Sequence, residues 1–268
     1  MKLLKKIGIM GLVLSLTMGA VGCSSKNGSD NNNENSSNEE VTLNVSAAAS
    51  LQEAMIELEE KFKEIESNVK LEVNLGASGA LQQQIEEGAP CDVFISAGEK
   101  QMTALADKDL LLEDTNKTLL TNDLVLVAAE GTEIKDLDSL TTDDITKIAI
   151  GDPESVPAGK YAKEVLDNTK LYDKVEKKLV LAKDVKEVLA WVQQGNAQVG
   201  FVYLSDAIGA KGVEVSYTTE SNTHSPINYP IAVLKASKKQ DKAKAFEDFL
   251  LSDEGQTILE KYGFKKAN

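Results

Sequence analysis

Residues 42–75, TLNVSAAASLQEAMIELEEKFKEIESNVKLEVNL, carry the pattern that decides the fold class. Thr42–Ser46 contains residues that favour a strand, and Leu51–Ile65 repeats apolar side chains with the period of a helix. Val69–Leu75 then alternates apolar and polar residues, as a half-buried strand does. A strand, a helix and a strand in this order predict a βαβ unit with parallel strands.

The same alternation of strand and helix patterns continues to the end of the chain, which predicts an α/β protein with parallel sheets and helices on both faces. Leu124–Ala129 is apolar throughout and therefore predicts a strand buried on both faces. The other predicted strands are Asp92–Ser96, Ile148–Ile150, Val199–Tyr203, Val213–Tyr217 and Tyr229–Leu234. The other predicted helices are Leu81–Glu87, Gln101–Lys108, a helix ending near Asn168, Val185–Gln194, Lys242–Leu251 and Glu254–Lys261.

The composition excludes several classes of protein. The chain has 268 residues, enough for one large domain or two smaller ones. Its net charge is −14, and all 29 of its cationic residues are Lys. An acidic chain without Arg is poorly suited to nucleic acid or to an anionic membrane surface. One His and two distant Cys exclude a zinc site built from these residues and a disulfide framework.

The N-terminal 22 residues have the layout of a secretory signal peptide, with a basic start and a mostly apolar run, Ile7–Val21. That run is shorter than the roughly 20 apolar residues that a membrane-spanning helix needs. The sequence Ala20-Val21-Gly22-Cys23 resembles a bacterial lipobox, although Ala20 stands where Leu is usual. The resemblance implies cleavage before Cys23 and lipidation of its thiol. An ordinary signal peptide cut nearby and an uncleaved anchor are the alternatives.

Residues 23–40 are predicted to form a tether, because residues 24–40 contain no apolar side chain and cannot form a core. Removal of residues 1–22 takes three Lys from a chain of net charge −14 and leaves a mature charge of −17. Cys91 is then the remaining thiol apart from Cys23, and we interpret it as a packed small residue.

Four predicted strand-to-helix junctions share one chemistry: small residues followed by a helix N-terminus. Ligands bind at the carboxyl ends of strands in open α/β sheets, and the free N–H groups of a helix start attract an anion. Ser50, Ser78 and Asp184 are predicted N-caps, and ordinary caps and turns without a ligand are the alternative explanation. The junctions are Ala47–Ser50, Gly76–Gly79, Gly151–Gly159 and Ala182–Val185.

Six segments between about Val41 and the C-terminus resemble the extracytoplasmic molybdate-binding proteins of bacterial ABC importers. The motif GDPxxVPAGxYA is highly specific to that family, and AAASL combined with GAPxDVFISA is nearly as specific. The segments are AAASLQEAM (47–55), GASGALQQQIEEGAPCDVFISA (76–97), GDPESVPAGKYAKEVL (151–166), AKDVKEVLAWVQQGNAQVGFVYLSDA (182–207), YPIAVL (229–234) and KYGF (261–264).

The resemblance implies a type II periplasmic-binding-protein fold, in which two α/β lobes enclose a ligand cleft. It implies a discontinuous lobe 1 at residues 41–122 plus 231–268, and a lobe 2 at residues 123–230. The chain is expected to cross between them near Thr121–Leu124 and Tyr229–Ile231.

The resemblance also implies the ligand and its site. In that family two serines donate through hydroxyl and backbone N–H, two residues donate backbone N–H alone, and a tyrosine donates its hydroxyl. The matching residues here are Ser50, Ser78, Ala158, Val185 and Tyr203. The implied ligand is molybdate or tungstate, with no cofactor and no metal held directly by side chains. The implied partner is an ABC permease, and we expect an extracytoplasmic, lipid-anchored monomer.

Carboxylates close to a dianion would repel it, so we predict that Asp184 caps its helix and points away from the ligand. A binder of sulfate or another tetrahedral oxyanion on the same fold is the first alternative function. A secreted hydrolase using one of the serines with His224, and a structural lipoprotein, are more distant alternatives. No GxSxG motif is present. His224 lies in a polar stretch and is predicted to be a solvated loop residue.

Overall fold

A computed structural model describes residues 40–267, which form two mixed β-sheets with helices packed around them. The predicted signal peptide, Cys23 and the tether to residue 39 lie outside the described residues. The strands are β1 (Val41–Ala48), β2 (Val69–Gly76), β3 (Val93–Ile95), β4 (Lys117–Thr121), β5 (Leu124–Ala129), β6 (Ile148–Gly151), β7 (Leu179–Ala182), β8 (Val199–Tyr203), β9 (Val213–Thr218), β10 (Asn228–Val233) and β11 (Lys265–Lys266).

The helices connect the strands and close the chain. They are α1 (Gln52–Ile65), α2 (Ser78–Glu86), α3 (Glu99–Asp107), α4 (Pro157–Asn168), α5 (Tyr172–Val175), α6 (Val185–Gln193), α7 (Leu204–Ala207), α8 (Gln240–Leu251) and α9 (Asp253–Lys261). Short 3-10 turns occupy Ala49–Leu51, Leu137–Thr141 and Glu176–Lys178. Among residues 40–267, no helix combines the length and apolar character needed to cross a membrane.

Each sheet contains both parallel and antiparallel pairs. Sheet 1 has the order β11-β4-β10-β3-β1-β2, and sheet 2 has the order β7-β6-β8-β5-β9. The βαβ unit predicted from residues 42–75 is confirmed, because β1 and β2 pair in parallel from Val41–Val69 to Ala48–Gly76.

The prediction of wholly parallel sheets is wrong. β10 runs antiparallel to β3 and β4, and β5 runs antiparallel to β8 and β9. Strands β5 and β10 enter their sheets directly from the other sheet, without a helix before them. The rule that makes strand–helix–strand units parallel therefore does not apply to them.

The chain passes between the sheets twice, and the two passages lie side by side. β4 ends in sheet 1 at Thr121, and β5 begins in sheet 2 at Leu124, where the first passage is expected. The return passage is earlier than Tyr229–Ile231, because β10 already pairs with β4 at Asn228–Thr121. The backbone N–H of Asn122 also donates to the Ile227 carbonyl at 3.2 Å, so hydrogen bonds tie the two passages together.

The hydrophobic core is formed by the apolar strands and by the helices that pack on them. Every residue of Leu124–Ala128 in β5 has no exposed surface, as expected for a strand covered on both faces. Around sheet 1, Phe62 of α1 packs on Phe246 and Phe249 of α8, with ring centroids 5.0 and 5.7 Å apart. The rigid core leaves the carboxyl ends of β1, β2, β6 and β8 directed toward the space between the sheets.

Asp92 links β3 to its neighbours at the opposite end of sheet 1. Its carboxylate, in a residue only 5% exposed, accepts hydrogen bonds from Ser237 Oγ at 2.7 Å, Asn44 N at 2.8 Å and Lys239 Nζ at 3.2 Å. Burial alone would raise the pKa of Asp92, but these hydrogen bonds outweigh it and hold the pKa below its ordinary value. The charged form therefore stabilises the folded state.

We predict that Asp92→Asn lowers the free energy of unfolding at pH 7 by about 1–3 kcal/mol, because an amide donor replaces one of the two buried carboxylate oxygens that accept from Asn44, Ser237 and Lys239. A carboxyl whose folded pKa is depressed contributes stability at neutral pH and loses it as the pH falls through that pKa. The difference between the two proteins should therefore shrink below about pH 4, as measured by urea unfolding at several pH values.

Asp109→Asn is the matched control, because Asp109 pairs with Lys235 on the surface and its side chain is 81% exposed. Its unfolding should resemble that of the wild type at every pH. Equal stability of Asp92→Asn and wild type at pH 7 would show that the Asp92 hydrogen bonds contribute no net stability.

Candidate functional site

A small cavity lies between the two sheets, where the carboxyl ends of their strands meet. Its free volume is about 10 Å³, roughly the space that one water molecule needs. Its lining comes from both sheets and contains no charged side chain among the described residues. The lining residues are Ala48, Ala49, Ser50, Gly76, Ala77, Ser78, Ala97, Val156, Pro157, Ala158, Val185 and Tyr203. All five residues that the sequence singled out therefore lie around one cavity.

The two serines are not N-caps, contrary to the prediction. Ser50 lies inside the 3-10 turn before α1, and Ser78 is the first residue of α2, whose N-cap is Ala77. Neither N-cap position has a side-chain capping hydrogen bond. The polypeptide enters both helices one or two residues earlier than the capping pattern indicated, so the hydroxyls of these buried serines are free for other partners.

Those hydroxyls contact groups of the protein at the edge of the cavity. Ser50 Oγ lies 2.8 Å from Tyr229 Oη, and Ser78 Oγ accepts a hydrogen bond from the backbone N–H of Ala97 at 2.9 Å. Ser50 is 3% exposed and Ser78 is 1% exposed. Each serine is thus held by one protein group while it faces a cavity that water scarcely reaches.

Ala158 and Val185 supply helix starts from the other sheet. Ala158 follows Pro157 in the first turn of α4, and Val185 is the first residue of α6. Backbone N–H groups in a first turn have no partner within their own helix and carry the positive end of the helix dipole. Both residues are buried and line the cavity, so these donors lie beside it and away from bulk water.

The loop before α4 is shaped by one close backbone contact. A Cβ atom placed on Gly159 would lie 1.9 Å from the Gly151 carbonyl oxygen, a distance that no other residue type can adopt. Glycine at this position lets the first turn of α4 lie directly against the end of β6. This contact explains why the spacing GDPESVPAG brings Ala158 to the cavity.

Tyr203 closes the cavity at the end of β8. Its side chain is buried, its Oη lies 3.4 Å from the Ala97 carbonyl oxygen, and its ring packs edge-on against Tyr229 with centroids 5.6 Å apart. Burial raises the pKa of both tyrosine hydroxyls well above their usual range. Both hydroxyls therefore remain protonated, and the Tyr203 hydroxyl donates to the Ala97 carbonyl.

Asp184 caps α6, as predicted. Its carboxylate accepts a hydrogen bond from the backbone N–H of Glu187 at 2.8 Å, and the residue does not belong to the cavity lining. Asp152 is likewise engaged locally, because its carboxylate accepts from the N–H of Glu154 at 3.0 Å. The acidic residues of these two junctions thus stabilise loops and helix starts.

An ion-pair cluster with one buried member, Asp206, adjoins the cavity, and the sequence did not reveal it. Lys186, next to Val185, pairs with Glu53 of α1 at 2.5 Å and with Asp206 of α7 at 2.9 Å. Burial raises the pKa of Asp206 to about 6, although the Lys186 ammonium acts to lower it. The cluster connects helices of the two sheets beside the site.

Segments that belong to the two sheets are in direct contact beside the cavity: the start of α2 contacts the loop before α4. The backbone N–H of Gly79 donates to the Ser155 carbonyl at 3.0 Å, and a Cβ atom on Gly79 would lie 2.4 Å from that oxygen. Together with the pair between Lys186 and Glu53, this contact closes the site from both sides. The arrangement is that of a closed cleft.

The remaining candidate residues lie elsewhere. His224 lies in the loop between β9 and β10, as predicted, and is partly exposed. Its ring lies 6.0 Å from that of Tyr161, and it does not line the cavity. Cys91 is partly buried, its Sγ lies 3.2 Å from the Val93 carbonyl oxygen, and burial raises the pKa of its thiol to about 11. No group of three or more His, Cys, Asp and Glu side chains suited to a metal ion occurs within residues 40–267.

Sequence reasoning missed Ala97, Asn122 and Tyr229. Ala97 and Tyr229 belong to quoted segments, FISA and YPIAVL, but their contacts with Ser78 and Ser50 span 19 and 179 residues. Asn122 lies in the passage between the sheets and donates toward Tyr229 Oη at 3.4 Å. Only the position of the passages could have indicated Asn122.

Comparison with known proteins agrees with this geometry. Residues 43–265 match the family model for the bacterial extracellular solute-binding proteins. The chain is 40% identical over 232 residues to the molybdate-binding protein ModA of Escherichia coli (strain K12), covering 84% of this chain and 90% of ModA. It is 39% identical over 260 residues to YvgL, a candidate ABC transporter substrate-binding lipoprotein of Bacillus subtilis (strain 168), covering 97% and 98%.

A solved structure supports the same family assignment. The substrate-binding domain of a candidate molybdenum ABC transporter from Clostridium difficile superposes with a TM-score of 0.68 at 59% identity, covering 85% of this chain and all of that one. The predicted two-part α/β binding-protein fold is therefore confirmed. The chain belongs to the bacterial extracellular solute-binding proteins, in the group that includes the molybdate-binding proteins.

Proposed function

We propose that this protein binds molybdate, and also tungstate, outside the cytoplasmic membrane and delivers it to an ABC permease. The observation that carries the proposal is a small, buried, uncharged cavity onto which Ser50, Ser78, Ala158, Val185 and Tyr203 converge as hydrogen-bond donors. The molybdate-binding names of the relatives at 34–40% identity support the choice of oxyanion.

Neutral donors suffice to hold a dianion here. The two serines contribute hydroxyl and backbone N–H groups, and Ala158 and Val185 contribute N–H groups. Tyr203 contributes its hydroxyl when that proton turns from the Ala97 carbonyl to the anion, which makes about seven donors in all. A hydrogen bond to a charged group contributes roughly 1.5–3 kcal/mol, so the gross sum is on the order of 10 kcal/mol or more. Micromolar binding needs about 8 kcal/mol after the costs of association and closure are deducted.

The donor set also accounts for selectivity. A cradle of donors alone disfavours hydrogen phosphate, whose own proton needs an acceptor in the site. Donors on a rigid backbone cannot all move inward onto the smaller sulfate ion, so we expect molybdate and tungstate to bind more tightly. A binder of sulfate or another tetrahedral oxyanion remains the alternative function, since the same fold and the same donor chemistry would serve it.

Delivery of the oxyanion to the permease would use the division of the structure into two halves, one around each sheet. We propose that the two sheets with their helices act as the two lobes, close on the ligand and present the closed form to the permease. We also propose that residues 1–22 are removed, that Cys23 is lipidated and that residues 23–40 tether a monomer to the outer face of the membrane. The lipoprotein name of the YvgL relative supports the anchor.

We propose a binding role without catalysis. A hydrolase would need a base beside one of the serines, and His224 instead contacts Ser225 and Tyr161. The hydroxyl of Ser50 is engaged by Tyr229, and that of Ser78 by the backbone of Ala97. Neither arrangement activates a serine as a nucleophile.

Titration calorimetry with the mature chain tests the proposal directly. We expect micromolar or tighter dissociation constants for molybdate and tungstate, at least 100-fold weaker binding of sulfate, and still weaker binding of phosphate. Molybdate at 100 times its dissociation constant should add about 2.7 kcal/mol to the free energy of unfolding.

Equal affinities for sulfate and molybdate would favour the alternative function. Absence of heat and of any thermal shift with all four anions would refute oxyanion binding altogether.

We predict that Gly79→Ala weakens molybdate binding roughly tenfold or more, because the added methyl group collides with the Ser155 carbonyl only when the halves are closed. The melting temperature of the ligand-free protein should change little. Ala80→Ser, which adds one atom at an exposed position of the same helix, is the control and should bind normally. Unchanged affinity of Gly79→Ala would mean that the bound state does not need this contact.

We predict that Asp184→Asn binds molybdate within about twofold of the wild type, since Asn caps a helix as well as Asp and the Asp184 carboxylate lies outside the cavity lining. Asp184→Ala should lower the free energy of unfolding by about 1 kcal/mol through loss of the cap. Calorimetry and urea unfolding measure the two effects. A clear gain in affinity for Asp184→Asn would show that the carboxylate does face the anion.

A further inference from the structure

The direction of the Ser50 hydroxyl proton decides what Ser50 offers a ligand. A serine hydroxyl has one proton and two acceptor lone pairs, and it rotates to suit its neighbours. Ser50 Oγ lies 2.8 Å from Tyr229 Oη, and either oxygen could donate in that contact. If Ser50 donated to Tyr229, only a lone pair would face the cavity, and that would repel an oxyanion.

Asn122 resolves the direction, because its amide orientation is fixed. The backbone N–H of Asp123 donates to Asn122 Oδ1 at 2.9 Å, which assigns the oxygen and therefore the nitrogen of the amide. The Nδ2 atom then has its two hydrogens toward Ser205 Oγ at 2.9 Å and Tyr229 Oη at 3.4 Å. An amide nitrogen cannot accept, so Tyr229 Oη is the acceptor in this contact.

Tyr229 has one proton to place, and of its two hydroxyl neighbours, Ser50 and Tyr203, Ser50 makes the short contact, at 2.8 Å. The side chain has no exposed surface, so its hydroxyl cannot donate to bulk water, and burial keeps the phenol protonated. An unsatisfied buried hydroxyl proton is costly, so Tyr229 donates to Ser50 Oγ. Ser50 Oγ is thereby the acceptor, and its own proton is free to point into the cavity that the residue lines.

Ser78 reaches the same state by a simpler route. Its Oγ accepts from the backbone N–H of Ala97 at 2.9 Å, and a backbone N–H can only donate. The Ser78 proton is therefore also free for the cavity. Both serines thus accept from the protein and donate to whatever the cavity holds.

We propose that Tyr229 and Asn122 are positioning residues that hold the Ser50 hydroxyl as a donor to the bound oxyanion, and so help the site to discriminate against protonated oxyanions. This inference rests on the proposed function. Neither residue lines the cavity, and both act through Ser50. Their hydrogen bonds also link the ligand to the passages between the sheets, since Asn122 lies in one passage and Tyr229 at the start of β10.

A double-mutant cycle between Tyr229→Phe and Ser50→Ala tests the proposal by molybdate calorimetry. Phe retains the ring that packs edge-on against Tyr203 and Phe264, with centroids 5.6 Å away in each case. We expect Tyr229→Phe to weaken molybdate binding about tenfold in the wild type and less than twofold in the Ser50→Ala background. Tyr161→Phe, which removes the hydroxyl of another buried tyrosine near the cleft, is the control and should have no such effect.

Selectivity gives a second readout that lost packing would not change. Without Tyr229 the Ser50 hydroxyl can turn and accept a proton, so the ratio of molybdate to hydrogen phosphate affinity should fall in Tyr229→Phe, as measured by displacement at pH 7.5. A cost of Tyr229→Phe that is the same in both backgrounds, or an unchanged affinity and ratio, would overturn the proposal.

Asn122→Asp provides an independent variant if Tyr229→Phe folds poorly. Asp keeps the size of Asn and still accepts from the Asp123 N–H, but it cannot donate, so Tyr229 would donate to it and Ser50 would turn toward Tyr229. The added negative charge should weaken molybdate binding in the wild type and in Ser50→Ala alike. The part of the affinity loss that comes from turning the Ser50 hydroxyl should disappear in the Ser50→Ala background. Equal losses in both backgrounds would contradict the inference.

The wild-type titration separates this inference from the proposed function. Tight molybdate binding by the wild type with additive mutant effects would retain the function and reject the positioning role. Absence of molybdate binding by the wild type would reject both.

Discussion

The pairing of β4 with β10 holds the two passages between the sheets together. Thr121 pairs with Asn228, and the Asn122 N–H donates to the Ile227 carbonyl, so the chain leaves and re-enters sheet 1 at adjacent points. The two connections therefore lie side by side, and the carboxyl ends of β1, β2 and β8 line the cavity between the sheets. The cavity, its donors and the contact between Gly79 and Ser155 all depend on this arrangement.

An anion site without a cation requires donors from several directions, and the fold provides them by bringing helix starts together. α2 comes from sheet 1, and α4 and α6 come from sheet 2. The chain has a net charge of −14 and no Arg, which disfavours a polyanion partner but not a small anion. Long-range repulsion is screened by salt within about 10 Å, whereas the close donors act at hydrogen-bond distance. The acidic residues near the site are engaged in capping α6 and in the Lys186 cluster.

Much of the local structure could be predicted from the sequence. The β1–α1–β2 unit and the buried strand β5 follow from hydrophobic periodicity, which is a local property. The strands β4 and β11 have no such signal: β4 is half exposed, and β11 has two residues. Strand direction in β5 and β10 was mispredicted because it depends on how the chain passes between sheets. The N-cap assignments of Ser50 and Ser78 failed for a related reason, since Ser and Thr favour caps only where tertiary contacts do not claim the hydroxyl.

The sequence by itself determined the α/β class and the small residues at the strand ends, because these depend on residue type and on spacing along the chain. The family resemblance, and not spacing, singled out the five candidate site residues. Only the tertiary structure decided that these five residues line one cavity, that Lys186 joins Glu53 and Asp206 beside it, and that Asn122 and Tyr229 adjoin Ser50. Contacts such as that between Ser50 and Tyr229 join residues 179 positions apart. No local pattern encodes such a contact, because it exists only when both passages between the sheets have formed and the two sheets have closed on each other.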